Sequence, residues 1–266
     1  EPLGGAAAAG PPLDGLSNLT GAYSMGRKLL TSYGGSFYTD NGSGDISPLF
    51  DQSGNGRNLI RGTSSERPIV ATAGNNSRAC ARFDGTDDRL NTVGLAVMSD
   101  FITVSDGYII ASAIPRAITT DVAGPGSFWQ NDALFGDLGG NMGAFMRSTG
   151  PGIAAFNSDV VSDKKVTNDT ITIDTALVYE WWHTGGTLFG RLNGGTTQST
   201  ASGDTFSLAA QFAIGQNPTL FTQIDIFEVA LFNVVPGSST RDALASSFAT
   251  WRSEEHTSEL QSLAYL

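Results

Sequence analysis

Short apolar stretches in which every second residue is hydrophobic recur along this chain, and each ends at a cluster of Gly, Asn, Asp or Pro. A period of two marks β-strands with one face buried, and the breakers mark the turns between them. "ACARFDG" and "RLNTVGL" flank a turn at "DGTDD", and "DGYIIASAIP" is an apolar strand stopped by Pro115. "ALVYEWWHTGGTLFGRLNGGTTQST" predicts three strands joined at "TGG" and "NGG", whose Gly and Asn residues supply the positive φ angles of tight hairpins. "QFAIGQ" and "QIDIFEVALFNV" add two strands near the end.

Only two stretches carry helical spacing. "AYSMGRKLLTSY", residues 22 to 33, places Tyr23, Leu29, Leu30 and Tyr33 on one stripe, with Gly26 interrupting it. "SSTRDALASSFATW", residues 238 to 251, aligns Leu244, Phe248 and Trp251, with Ser239 or Thr240 as N-cap and Asp242 in the first turn. Many strands with a short helix near each end predict an all-β sandwich of two antiparallel sheets with short peripheral helices.

Composition narrows the picture. The chain has 266 residues, 33 of them Gly, and no apolar run of the roughly 18 residues that a membrane-spanning helix needs. Its net charge of −11, without a Lys/Arg cluster, excludes a nucleic-acid backbone as partner. The single cysteine, Cys80, excludes an internal disulfide and reads as a buried thiol in a strand.

Three segments are expected. Residues 1–19 form a flexible Ala/Gly/Pro-rich linker, 20–251 the sandwich, and 252–266 a tail whose "RSEEHTSELQS" resembles a translated sequencing adapter. The alternative is a polar terminal helix. Without residues 253–266 the acidic count falls from 26 to 23 against 15 basic residues, a net charge of −8, and His183 is the only histidine.

The motifs "AYSMGRKLL", "DQSGNGRN", "RPIV", "ARFDGTDDRL", "WHTGGTLFGRLNGG" and "IDIFEVALFNVVPGSSTRDALASSFATW" follow one another in the chain. In this order they resemble the laminin-G-like bacterial and phage modules of the concanavalin A-like lectin/glucanase superfamily. The resemblance implies a jelly-roll sandwich working as a non-enzymatic, lectin-like module of a phage or bacterial surface protein, extracellular or virion-associated. A glycan or surface protein is the expected partner. The N-terminal part is also similar to the catalytic domain of arabinofuranosidase B, whose vicinal cysteine pair has no counterpart beside Cys80. Two other functions stay open: an arabinofuranosidase-like glycoside hydrolase, and a purely structural part of a virion or filament.

Candidate chemistry is spread along the chain. A hydrolase reading rests on Asp225 and Glu228 in "QIDIFE", which resembles the Glu-x-Asp-x-x-Glu motif of β-glucanases with Gln223 at the nucleophile position. Strict alternation sends Asp225 and Glu228 to opposite faces unless a bulge intervenes. Sugar-binding candidates are Trp181, Trp182 and His183, with both tryptophans as packing residues the alternative. Oxygen-rich turns offer Asp51 and Asn55, or Asp84, Asp87 and Asp88, as calcium ligands. The same residues also suit turns, with Asp51 and Asn55 capping the "DQSGNG" loop. No other cofactor is expected.

Overall fold

The computed structural model describes residues 12–73, 78–92, 96–117, 133–137, 143–145, 154–155, 164–165, 171–201, 208, 211–217 and 220–253. The expected terminal linker lies largely outside this set, as does the tail beyond residue 253.

Two antiparallel sheets form the sandwich. Sheet A holds β1 (Leu19–Ser24), β5 (Ile69–Ala73), β6 (Arg78–Asp84), β8 (Asp106–Pro115), β13 (Leu177–Thr184), β14 (Thr187–Leu192), β15 (Gln198–Ala201) and β19 (Gln223–Phe232). Sheet B holds β2 (Tyr38–Asp40), β3 (Ile46–Leu49), β4 (Leu59–Ile60), β7 (Leu90–Thr92), β9 (Ala133–Asp137), β10 (Gly143–Phe145), β11 (Ala154–Ala155), β12 (Lys164–Lys165) and β16 (Phe212–Ile214). A small ribbon of β17 (Gln216–Asn217) and β18 (Leu220–Phe221) stands apart. The all-β sandwich read from periodicity is the fold.

The long strands β8 and β19 pair along the middle of sheet A. On its other edge β19 pairs with β6 through residues 223–226 and with β1 through residues 228–232. Alternation along these strands gives sheet A two apolar faces. Phe83, Ile109, Tyr179, Trp181, Ile224 and Leu231 point inward and pack with Leu59, Leu90 and Phe212 of sheet B. Tyr108, Ile110, Val178, Trp182 and Phe232 point outward, against Leu244, Ala245 and Phe248 of α1 (Ser238–Ser253).

The hairpin from β13 to β14 turns at Gly185 and Gly186, both at positive φ (56° and 75°), as a two-residue loop requires. The C-terminal helix expected from its stripe is α1. The helix expected over residues 22–33 is replaced by strand β1 and a loop. Residues 19–24 find hydrogen-bond partners along β19, and Gly21 lets the ring of Phe101 approach to 2.9 Å of where a Cβ would stand. Pairing on an existing strand outweighs a helical stripe that Gly26 already interrupts.

Candidate functional site

Among the described residues three carboxylates are buried on sheet A, and each is held by an arginine, on the neighbouring strand for Glu180 and Asp225 and in the loop after β1 for Glu228. Glu180 on β13 faces Arg191 on β14, which reaches it through Nε (2.7 Å) and Nη2 (2.9 Å), while the Tyr108 hydroxyl donates to Glu180 Oε2 at 2.7 Å. Glu228 takes both ends of the Arg27 guanidinium, with Nη2 donating to Oε2 at 2.8 Å and Nε to Oε1. Asp225 stands opposite Arg82, which donates through Nε at 2.7 Å and Nη2 at 2.9 Å. Arg116, just beyond β8, adds Nε (2.7 Å) and Nη2 to the same Asp225 Oδ2.

A β-bulge lies in β19 between Ile226 and Glu228. The extra residue resets the alternation, so Asp225 and Glu228 share the outer face of sheet A rather than taking opposite ones. Their carboxyls are nevertheless both sealed, at 0% side-chain exposure, and each is held by arginine. Burial pushes the Glu228 carboxyl above its ordinary range, against the downward pull of Arg27. Among the described residues, both carboxylates are thus turned to arginine rather than to solvent.

Trp181, Trp182 and His183 are buried too. Trp181 packs in the inter-sheet core, and Trp182 stacks on Phe189 with the rings 4° from parallel, under the Arg241 guanidinium. His183 Nε2 donates to the Thr103 carbonyl at 2.8 Å, and burial lowers its pKa. None of the three presents a ring face to solvent, because "EWWH" is a central strand covered on both faces.

The "DQSGNG" loop is organised by Asp51. Its Oδ1 accepts the N–H groups of Ala22 (3.1 Å) and Ser53 (2.9 Å); its Oδ2 accepts the Ser53 hydroxyl (2.8 Å) and the Arg57 N–H (3.1 Å). Asn55 donates its amide to Ser53 Oγ at 2.9 Å. Both residues therefore act as the turn caps expected of them, and four donors already occupy the Asp51 carboxylate.

The second acidic turn differs. The carboxylate oxygens of Asp84, Asp87 and Asp88 lie within 4.8 Å of one another, close enough that, among the described residues, these three could hold a cation. Asp88 accepts the Asp84 N–H at 2.8 Å. Burial, reinforced by the charges of Asp84, Asp87 and Asp45, pushes its carboxyl up to about 7.

Asp84 and Asp88 also line a cavity of about 610 Å³ at the end of sheet A where β6 finishes and β19 begins. Arg67, Arg82 and Arg116 bring guanidinium donors to it, and Asp45, Asp174 and Gln223 further polar groups. Ile69, 44% exposed, supplies an apolar surface. The walls are tied down. Arg67 donates to the carbonyls of Arg61 and Gly62, and Ser64 Oγ to Asp45 at 2.6 Å. Asp174, at a positive φ of 60°, accepts from Arg116 Nη1 at 2.7 Å and sends its N–H to the Pro115 carbonyl.

Sequence reasoning picked out Asp84 and Asp88 here but missed the three arginines, Asp45 and Asp174. The only signal for Arg82 was its place in the alternation of "ACARF", which points it the same way as Cys80.

The sequence matches no family model and no curated protein. Solved structures do match. An arabinofuranosidase in complex with arabinofuranosyl-α-1,2-xylobiose is similar with a TM-score of 0.58 at 13% identity, over 86% of this chain and 62% of that one. This chain thus spans less than two thirds of that protein. Domain 4 of AbnA, an extracellular arabinanase from Geobacillus stearothermophilus solved with arabinotriose, matches with a TM-score of 0.55 at 17% identity, over 86% of this chain and 98% of that one. The binding domain of Paraclostridial Mosquitocidal Protein 1 matches with a TM-score of 0.58 at 12% identity, over 87% of this chain and 52% of that one. At these identities the likeness is one of fold.

Proposed function

We propose that this chain is a non-catalytic carbohydrate-recognition module whose binding site is the cavity at the end of sheet A. The observation that carries the reading is the cavity's lining. It combines arginines, carboxylates and an exposed aliphatic side chain, a set that suits the hydroxyls and C–H faces of a sugar. The arginine-bound state of Asp225 and Glu228 supports binding over hydrolysis by that pair. The structural neighbours support it as well, since one of them is a single sandwich domain of nearly the same extent, solved with arabinotriose. The module's setting in this reading is a phage or bacterial surface protein, as the order of its motifs suggests.

A glycan array, run with calcium and with a chelator, tests the reading. Binding that disappears in an Arg82→Gln variant of unchanged circular dichroism is the expected result. Silence of the wild-type protein on every glycan under both conditions would remove it. The two arms also report whether Asp84, Asp87 and Asp88 recruit calcium.

One observation favours a second reading. Asp84 and Asp88 are two close carboxyls in unlike surroundings, one exposed and one buried with its pKa raised to about 7, as glycosidases arrange an ionised and a protonated carboxyl. Release of p-nitrophenol from an arabinofuranoside, abolished by Asp88→Asn, would establish hydrolysis in its place.

A further inference from the structure

Two guanidiniums converging on one side of a cavity ordinarily point to an anionic ligand, because their planar forks match a carboxylate or sulfate. Here the anion is already part of the protein. Asp225 is sealed from solvent and receives four N–H donors, two from Arg82 and two from Arg116. Its place is set by register. Arg82 is its direct cross-strand partner on β6, and Ile114 its partner on β8, so Arg116 reaches it diagonally from two residues further on.

The remaining edges of the two guanidiniums are turned elsewhere. Arg116 Nη1 meets Asp174, whose side chain is 70% exposed at the rim. Arg82 Nη1 has no hydrogen-bond partner among the described residues, and the side chain is 38% exposed in the cavity wall. The cavity thus offers fixed N–H donors whose charge is matched by Asp225 beneath and Asp174 beside them. Asp45, Asp84 and Asp88 line other parts of it. Arg67, the third guanidinium, is held by backbone carbonyls and shares its side with Asp45.

We propose that Asp225 is a positioning residue that turns this arginine pair from an anion receptor into a donor platform for uncharged sugar hydroxyls. The site therefore selects neutral glycans against uronate-bearing or sulfated ones. The inference rests on the carbohydrate reading of the same cavity and adds its charge selectivity. A neutral ligand needs donors of fixed direction without net charge, and a buried carboxylate under two partly exposed arginines provides both. An acidic glycan would meet guanidiniums already neutralised and the carboxylates around them.

Calorimetric titration with arabinotriose and xylotriose on one side and trigalacturonate on the other tests the inference. The wild-type protein is expected to bind a neutral trisaccharide at least about tenfold more tightly than trigalacturonate at low salt. Asp225→Asn releases one unit of positive charge at the cavity wall and should move that ratio toward the acidic ligand by about tenfold. A residue that only holds the fold together would weaken both ligands alike and leave the ratio unmoved. Asp174→Asn, at an exposed position, provides the same shift with smaller amplitude if Asp225→Asn does not fold.

Trigalacturonate binding as tight as the neutral sugars in the wild type overturns the selectivity while leaving the carbohydrate reading intact. An unchanged ratio in both folded variants overturns the role of Asp225. Absence of binding to either class, together with silence on the array, removes both proposals.

Discussion

Arg191 joins Glu180 to Asp242: its Nε and Nη2 hold the buried carboxylate of β13, and its Nη1 reaches the exposed one of α1 at 2.6 Å. This bridge fastens the helix to sheet A beside the apolar contacts of Leu244, Ala245 and Phe248. Removing Arg191 leaves Glu180 buried without its countercharge. Arg191→Met is expected to lower the free energy of unfolding by about 3–5 kcal/mol. Asp242→Ala, which removes only the exposed end, should cost no more than about 1 kcal/mol. Urea denaturation of the two variants measures the contrast, and similar losses would contradict the division of labour.

Asp51 ties the "DQSGNG" loop to β1 by accepting the Ala22 N–H across 29 residues of chain. Asp51→Ala strands four donors in one step and should cost about 2–4 kcal/mol. Hydrogen exchange should quicken at Ala22, Ser53 and Arg57 before it does elsewhere. Uniform exchange across the sandwich would show that the loop is held by other contacts.

Asp88 should make stability depend on pH in a definite direction. Its folded-state pKa, about 7, lies above that of an unfolded aspartate, so the native state binds the proton more tightly. The contribution is complete below about pH 4 and is lost as pH rises through 7. Asp88→Asn keeps an acceptor for the Asp84 N–H and removes the titration. It should be nearly neutral at pH 4 and stabilising by about 2–4 kcal/mol at pH 8. Melting curves at the two pH values decide; equal effects at both would show that Asp88 does not titrate in this range.

Gly107 lies opposite His183 in the β8–β13 pairing, and a Cβ there would come within 2.6 Å of Ile102 and 2.9 Å of the His183 ring. Gly107→Ala should cost about 1–3 kcal/mol through overpacking. Because burial lowers the pKa of His183, the unfolded chain takes up its proton first as pH falls through about 6.5, and acid should destabilise the protein through this residue. An NMR titration of the His183 ring midway at or above that value would refute the assignment.

Much of the fold was legible because period-two alternation and paired turn residues act within a few neighbours. The strands around "TGG" and "NGG", the long strand of "QIDIFEVALFNV" and the C-terminal helix all follow from such local patterns. The reading of residues 22–33 failed for a reason that lies outside the segment, since an open edge of β19 was available to pair with residues 19–24. The site was less legible. Asp225 and Glu228 stood out as acids, but their partners Arg82, Arg116 and Arg27 lie 109 to 201 residues away in sequence.

What the sequence determined by itself was therefore the kind of structure: a sandwich of short strands, its hairpin turns, and a loop capped by its own aspartate. Those outcomes rest on side-chain alternation and backbone preference, which are properties of adjacent residues. Tertiary structure alone decided the state of each acidic group. Strand register and the bulge at β19 chose which carboxylates were sealed against arginine and which, at Asp84 and Asp88, were left lining a cavity. The energy of a charge depends on what surrounds it in space, and nothing in the local sequence carries that information.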